Sequence, residues 1–414
     1  MRRVSLAAIA ATIVFALFAD SAGPVRAQGV TAFEGARLIV GNESSPIENA
    51  ILLVNGARIV QAGRAADVSV PAGATRVSLA GKTVMPMIID THVHLTPTRE
   101  GLTRDLRRRA YFGVSTAMSL GQDPYDLLDI RGETIPGAAR FLSAGRGITM
   151  PEPGRIAVAH QHWITTEADG RKAVEELAER KVDIIKIWVD DRGGQYKKLT
   201  PEIYGAIIDE AHKRGLRVTA HIFNLDDTKG LIRAGVDAFA HGVREKDIDD
   251  ELVAMFKQRP NLILTPNLPD RGVKTDLSWL RAGLPSADFE KLEAANKDNP
   301  KAQAFHGIQA RNLAKLNAAG VRITLGTDGN RAWGPHEEME DMVLAGMTPT
   351  QVIVAATRNG AEFLKIADAG TLEAGKSADF IVLDANPLDD ITNTRRISAV
   401  YLRGAAVDRA QPVR

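Results

Sequence analysis

The 414-residue chain contains no cysteine. Disulfides, thiolate metal ligands and a cysteine nucleophile are therefore excluded, and any metal must be held by nitrogen and oxygen. Excess charge of either sign is lacking as well. The 52 basic and 51 acidic residues leave a formal charge of +1 and are interleaved, with no long polybasic block. That balance gives no electrostatic reason to expect nucleic acid or a membrane surface as partner, and a small-molecule substrate is expected instead. No Gly-rich phosphate loop follows a strand-like run, and no Gly-x-Ser-x-Gly elbow is present. Past the N-terminus, no run is long and apolar enough to cross a membrane.

The N-terminus itself reads as a targeting signal. Met1-Arg2-Arg3 is a basic start, Val4 to Ala19 carries no charge, and a Gly/Pro-containing segment ends in Val25-Arg26-Ala27. Residues 1–27 are expected to be a cleaved secretory signal, with cleavage near Ala27 and a secreted or periplasmic product. An uncleaved anchor is the rival reading, disfavoured because the apolar run is short for a span. The apolar fraction of 44% and charged fraction of 25% are ordinary for a globular chain.

Both ends of the remaining chain look strand-rich. Short apolar runs at 36–40, 50–54, 58–62 and 75–79 are separated by turn residues, and 379–383 and 397–402 have the same character. Joining them leaves fewer exposed strand edges than two separate decorations. Residues 28–83 and 366–414 are thus expected to form one composite β-sandwich domain. The middle, 84–365, alternates strand and helix patterns. Its eight strand candidates are 84–90, 113–119, 140–145, 183–189, 216–221, 236–241, 261–266 and 321–327. Amphipathic stretches lie between them, such as 170–180 and 201–214, the latter opened by Thr200-Pro201-Glu202 and stopped by Gly215. Eight such units over roughly 250 residues predict an α/β fold, a (β/α)8 TIM-like barrel, with an open doubly wound sheet as the alternative. Segment 267–312 is expected to be an insertion over the barrel mouth.

Six residues end these runs, and in a barrel the C-terminal strand ends converge. His92 and His94 lie two apart in Ile-Asp-Thr-His-Val-His, so on a strand they share a face. Two imidazoles aimed at one point suit Zn, Co, Mn or Ni, although such a pair alone is a weak signal. Lys186 sits among Ile184, Ile185, Ile187 and Trp188, where a lone ammonium is expensive. A buried amine of depressed pKa can take up carbon dioxide and become an anionic ligand. His221 and His241 are one strand-helix unit apart, and Asp328 in Leu-Gly-Thr-Asp-Gly ends the last strand. Singly each has a structural reading; together they are hard to explain as packing.

With these motifs the chain resembles the amidohydrolase superfamily, in its binuclear branch with a carboxylated lysine, and is most similar to secreted imidazolonepropionase-like and prolidase-like members. The closing stretch from Gly370 to Asp384 resembles that family's return into the small β-domain, whereas Pro86-Met87 stands where the family usually has Pro-Gly. The resemblance implies two divalent metal ions, most often zinc. His92, His94 and Asp328 would hold one, His221 and His241 the other, and carboxylated Lys186 would bridge them. It further implies a hydroxide bridging the metals as nucleophile and Asp328 as catalytic base and acid. The expected activity is hydrolysis of an amide or peptide bond in an N-acyl amino acid or dipeptide. Rivals are a lactonase or esterase on the same site and a catalytically silent periplasmic ligand-binding protein.

Further candidates line the expected mouth. Arg192 and Tyr196, after the fourth strand, are expected substrate contacts, as are Arg244 and His336. His160 and His162 mimic the first histidine pair but follow a strand only distantly. His212 is expected to be structural, His306 lies in the insertion, and Arg107-Arg108-Arg109 reads as a solvated helix face. A homo-oligomer remains open.

Overall fold

A computed structural model describes residues 29–154 and 161–413. The expected signal at 1–27 and His160 lie outside them. Among the described residues, no helix is long and apolar enough to cross a membrane.

Five strands open the described chain: β1 (Val30–Leu38), β2 (Ile47–Asn55), β3 (Arg58–Arg64), β4 (Thr75–Ser78) and β5 (Thr83–Pro86). Only Met87 separates β5 from β6 (Ile88–Val93), and the chain changes sheets there. Met87 N–H still bonds Asp379 O (3.1 Å), while Ile88 N–H bonds Gly113 O (2.9 Å) in the second sheet. The single strand expected over 84–90 is thus two strands with a switch between them.

The barrel runs from β6 through β7 (Val114–Ser119) and β8 (Arg140–Ser143). Short β9 (Ile148–Thr149) and β10 (His162–Trp163) follow. The ring continues with β11 (Ile185–Val189), β12 (Val218–Ile222), β13 (Ala238–Ala240), β14 (Ile263–Thr265) and β15 (Arg322–Ile323). Pairing is parallel in the runs β6-β7-β8 and β9-β11-β12-β13-β14-β15. The ring closes where Thr91 N–H bonds Leu325 O (3.0 Å) and Val93 bridges Gly329. The first and eighth strands are therefore neighbours, as a (β/α)8 barrel requires. Every residue of β11 and β12 is buried, the pattern of strands covered on both faces.

Helices between the strands start and stop on local signals. In α1 (Arg99–Tyr111) and α2 (Glu167–Glu179), Thr98 and Thr166 cap the first turn. In α3 (Pro201–Lys213), Thr200 caps the start and Gly215, at φ 70°, ends the turn that follows. Ile207 and Leu231 belong to the layer packed on the barrel, each contributing roughly 1.5–3 kcal/mol of burial. One part of α1 departs from expectation. Arg107 is exposed, but Arg109 is fully buried and pairs with Asp90, so that helix face is not solvated throughout.

The last three strands, β16 (Phe380–Leu383), β17 (Ile397–Leu402) and β18 (Ala405–Ala406), return to the first sheet. Its order is β18-β17-β16-β5-β1-β2-β3, with β4 beside β1. Residues from both ends of the chain thus share one sheet, over a core that includes Phe33, Leu52 and Phe380.

Candidate metal centre

His92 lies in the last turn of β6, and His94 just beyond it. His221 lies in β12, while His241 and Asp328 follow β13 and β15. The four imidazoles form a chain: His94 to His92 and His92 to His241 are 5.2 Å between ring centres, and His241 to His221 is 4.7 Å. Asp328 Oδ1 lies 3.0 Å from His94 Nε2 and 3.2 Å from His92 Nε2, and its Oδ2 is 3.5 Å from His241 Nε2. The ligand atoms of His92, His94 and Asp328 all fall within 4.8 Å of one another. Lys186, in β11, is fully buried, and its Nζ has no hydrogen-bond partner. Its charge acts on both His92 and His221.

Hydrogen bonds decide which ring nitrogens are free. His92 Nδ1 is 2.9 Å from Asn267 Oδ1, which can only accept, so Nδ1 carries the proton and Nε2 keeps its lone pair. His221 Nε2 donates to Asp190 Oδ2 at 3.0 Å, leaving Nδ1 free. This carboxylate–histidine arrangement is the usual way to orient a metal-ligating imidazole. His241 differs: Arg244 Nη2 donates to its Nδ1 at 2.5 Å, which leaves the proton on Nε2. His92 Nε2, His94 Nδ1, His241 Nε2 and Lys186 Nζ are all buried without hydrogen-bond partners. Each such group costs about 1–3 kcal/mol if nothing binds it. The orphaned nitrogens of His92 and His241, at 3.2 and 3.5 Å from Asp328, together with the partnerless Lys186 amine, fit a divalent cation of the nitrogen- and oxygen-binding class.

The electrostatics agree. Burial, reinforced by Lys186, pulls His92 well below the usual histidine value. Burial brings His221 down to about 3 despite its bond to Asp190, and Lys186 down to about 7 despite Asp328. Burial alone would raise the Asp328 carboxyl, but the facing His92 and His241 outweigh it and hold it low. His92 and His221 are thus pushed toward the neutral form and Asp328 toward the carboxylate, the protonation state metal ligands need. The backbone is strained at the same place, with positive φ at His241 (90°), Asp328 (53°), Arg192 (57°) and Asn267 (46°). Gly326 permits the close approach of the last strand to the first. A Cβ there would stand 2.5 Å from Thr265 Cγ2 and 2.9 Å from His92 Cβ.

Above Asp328 lies a cavity of about 590 Å3, roofed by segment 267–305 and walled by α8 (Gly334–Leu344), counting α4 (Leu225–Ala234), α5 (Asp250–Lys257), α6 (Ser286–Ala295) and α7 (Pro300–Ala318) before it. Leu277, Trp279 and Phe305 line the roof. Arg271 ties the roof to α8 through Glu340 (3.1 Å) and Asp341 (2.9 Å), and Arg395 pairs with the same Glu340 while stacking on Trp279. Buried Glu338 also lines the cavity and accepts from Leu268 N–H, with its pKa raised by burial and by Asp341.

Of the expected substrate contacts, only Arg244 lines this cavity. Arg192 is already engaged by Asp190 (2.6 Å) and Glu152 (3.3 Å), because the turn at positive φ folds it back on its own strand end. Tyr196 donates to Pro153 O at 3.2 Å outside the cavity. His336 is buried with both nitrogens spent, on Phe112 O (2.9 Å) and Thr394 Oγ1 (3.1 Å), because α8 turns it toward the protein interior. His162 bonds Tyr125 Oη (2.7 Å), and His212 pairs with Asp237 (2.9 Å) in a structural role. Sequence reasoning missed Asp190 and Asn267. Each lies just past an apolar strand, at the same kind of position as His241, which was the available signal.

The described geometry has known counterparts. The amidohydrolase family pattern matches residues 83–407. A solved structure of a putative prolidase from Bifidobacterium longum superposes with a TM-score of 0.77 at 28% identity, covering 93% of this chain and 96% of that one. Imidazolonepropionase of Paracoccus denitrificans is 25% identical over 393 residues, 82% of this chain and 90% of its own. Ochratoxinase of Aspergillus niger is 27% identical over 256 residues, 59% of this chain and half the length of that enzyme.

Proposed function

Since this chain belongs to the amidohydrolase family and is a hydrolase acting on amide bonds, we propose that it cleaves the amide bond of an N-acyl amino acid or dipeptide bearing a free carboxylate. The similarity to the B. longum putative prolidase over nearly the whole chain supports the dipeptide class. The observation that carries the catalytic reading is the pair of partnerless buried nitrogens, His92 Nε2 and His241 Nε2, that face Asp328, with the partnerless amine of Lys186 buried in β11.

Two divalent ions, of which zinc fits the donor set, would be held by His92, His94 and Asp328 on one side and by His221 and His241 on the other, with Lys186, carboxylated on Nζ, as a further ligand. Its buried, partnerless amine supports that modification. Bound there, the ions lower the pKa of water and polarise the scissile carbonyl. Asp328, at the cavity floor, takes the proton of the attacking water as the C–O bond forms, and passes it to the leaving nitrogen as the C–N bond breaks. Arg244 receives the substrate carboxylate. It has no carboxylate partner among the described ion pairs, and it lines the cavity beside Asp328. A cation on His241 Nε2 calls for a proton on Nδ1, which ends Arg244's donation to that nitrogen and leaves its guanidinium for an anion. The roof from 267 to 305 excludes water. Residues 1–27 direct export to the periplasm, and 28–83 with 366–414 form a composite domain beside the 84–365 barrel.

The test combines metal content with a substrate panel. Purified protein should hold close to two divalent ions, and Lys186→Ala should lose metal and turnover, with partial rescue by short carboxylates. Screening N-acyl amino acids, dipeptides and lactones should give turnover on the first two classes, with Arg244→Met raising KM on carboxylate-bearing substrates. Turnover confined to lactones, or full activity without metal, would overturn this reading.

A further inference from the structure

We propose that the buried pair Asp90–Arg109 is a positioning device that locks the backbone of His92, His94 and Asp328 into place. Both side chains are completely buried, 2.9 Å apart. A buried ion pair is a poor source of stability, since apolar residues of similar volume often serve as well. Its contacts show another use. Asp90 Oδ1 accepts from the backbone N–H of His92 (3.3 Å) and of Thr327 (3.1 Å). Asp90 Oδ2 accepts from Arg109 Nη1 (2.9 Å) and Thr327 Oγ1 (2.8 Å).

Arg109 extends its second arm, Nη2, to Gly329 O at 2.9 Å, and the same carbonyl accepts from His94 N–H at 3.4 Å. The pair therefore grips the residues on both sides of Asp328, together with the backbone of both histidines. Asp328 itself is left-handed at φ 53° and donates its N–H to His92 O at 2.8 Å. Aspartate visits that conformation more readily than most residues, and held neighbours keep it there. The clamp holds them, and it joins the first strand, the first helix and the last strand at the point of barrel closure. Neither Asp90 nor Arg109 lines the cavity, so both act only through the residues they hold.

This inference rests on the reading of His92, His94 and Asp328 as metal ligands. Arg109→Lys tests it, because a lysine keeps the charge facing Asp90 but cannot bond Asp90 and Gly329 O with two arms in a fixed fork. Zn2+-loaded protein is titrated with a competing chelator, and kcat and KM are measured on the same samples. Zn2+ should be stripped at least about tenfold more readily from the variant, the size seen when outer partners of ligands are lost. Its kcat should fall about tenfold or more, with KM changed less than twofold. If Arg109→Lys does not fold, Thr327→Val removes only the hydroxyl bond to Asp90, and it should move Zn2+ retention and kcat the same way by a smaller factor. Wild-type Zn2+ retention in whichever variant folds would overturn the clamp. A parent protein that binds no Zn2+ would instead overturn the ligand reading, so the two failures are distinct.

Discussion

The two sides of the metal centre are built by different means. Around His92, His94 and Asp328 the ordering acts through the backbone: strand closure, the N–H and carbonyl groups gripped by the buried Asp90–Arg109 pair, and a neutral amide from Asn267. Around Lys186, His221 and His241 it is done by charge, with Asp190, Arg192 and Arg244 pressed against the two imidazoles. The second side holds two guanidinium groups and an amine near the histidines, so under the proposed scheme it would accept a cation only with the lysine carboxylated and Arg244 released. Rigid geometry and adjustable charge thus share one centre.

The strongest way to break this comparison is at the residue both sides face. Asp328→Asn should lower kcat by about 10^2–10^4-fold, the range for loss of a positioned acid–base group, with the fold unchanged by circular dichroism. Full turnover would remove Asp328 from the proton transfer. Next come the two orienting partners. Asp190→Asn and Asn267→Ala should each cost about 10–100-fold in activity or metal affinity. Asp190→Asn should cost more, because it also strands Arg192 without its nearest carboxylate. If chelator titration ranks them in the opposite order, the contrast between a charge-built and a backbone-built side fails. The smallest effect concerns His336, which belongs to neither side. Burial holds its imidazole at about 4, against 6.5 in the unfolded chain, so the unfolded chain takes up this proton first as pH falls. The stability this provides is complete above about pH 6.5 and is lost as pH falls to about 4, a total of roughly 3 kcal/mol. His336→Gln should leave turnover intact and flatten that part of the pH dependence by one proton, as urea unfolding between pH 7 and pH 4 would report.

Much of this was legible beforehand, for reasons that differ by residue. The barrel strands showed because buried parallel strands are short apolar runs, and β7 and β11 lie within the segments expected for them. The six site residues showed because a histidine, lysine or aspartate ending such a run is costly without a partner. Of the expected substrate contacts, Arg244 lines the cavity, whereas Arg192, Tyr196 and His336 do not. Whether Arg192 meets a ligand or Asp190 depends on one positive-φ turn, and whether His336 faces the cavity depends on the rotation of α8, neither of which residue type or spacing records. Asp90 went unread, and Arg109 was expected on a solvated face, for a related reason. Each looks unremarkable alone, and their meeting depends on how α1 packs against β6.

One junction described above also sets a schedule. β5 runs through Met87 directly into the strand that carries His92, and β5 is flanked by β1 on one side and by β16, almost 300 residues later, on the other. A ribosome releases β5 early and β16 nearly last. Until residues 380–383 emerge, the edge of β5 that they will cover has no partner, and such edges invite pairing with other chains. The strand that leads into the one bearing the first ligands is therefore moored on one side only until late, and the closing stretch of the chain is what fastens it.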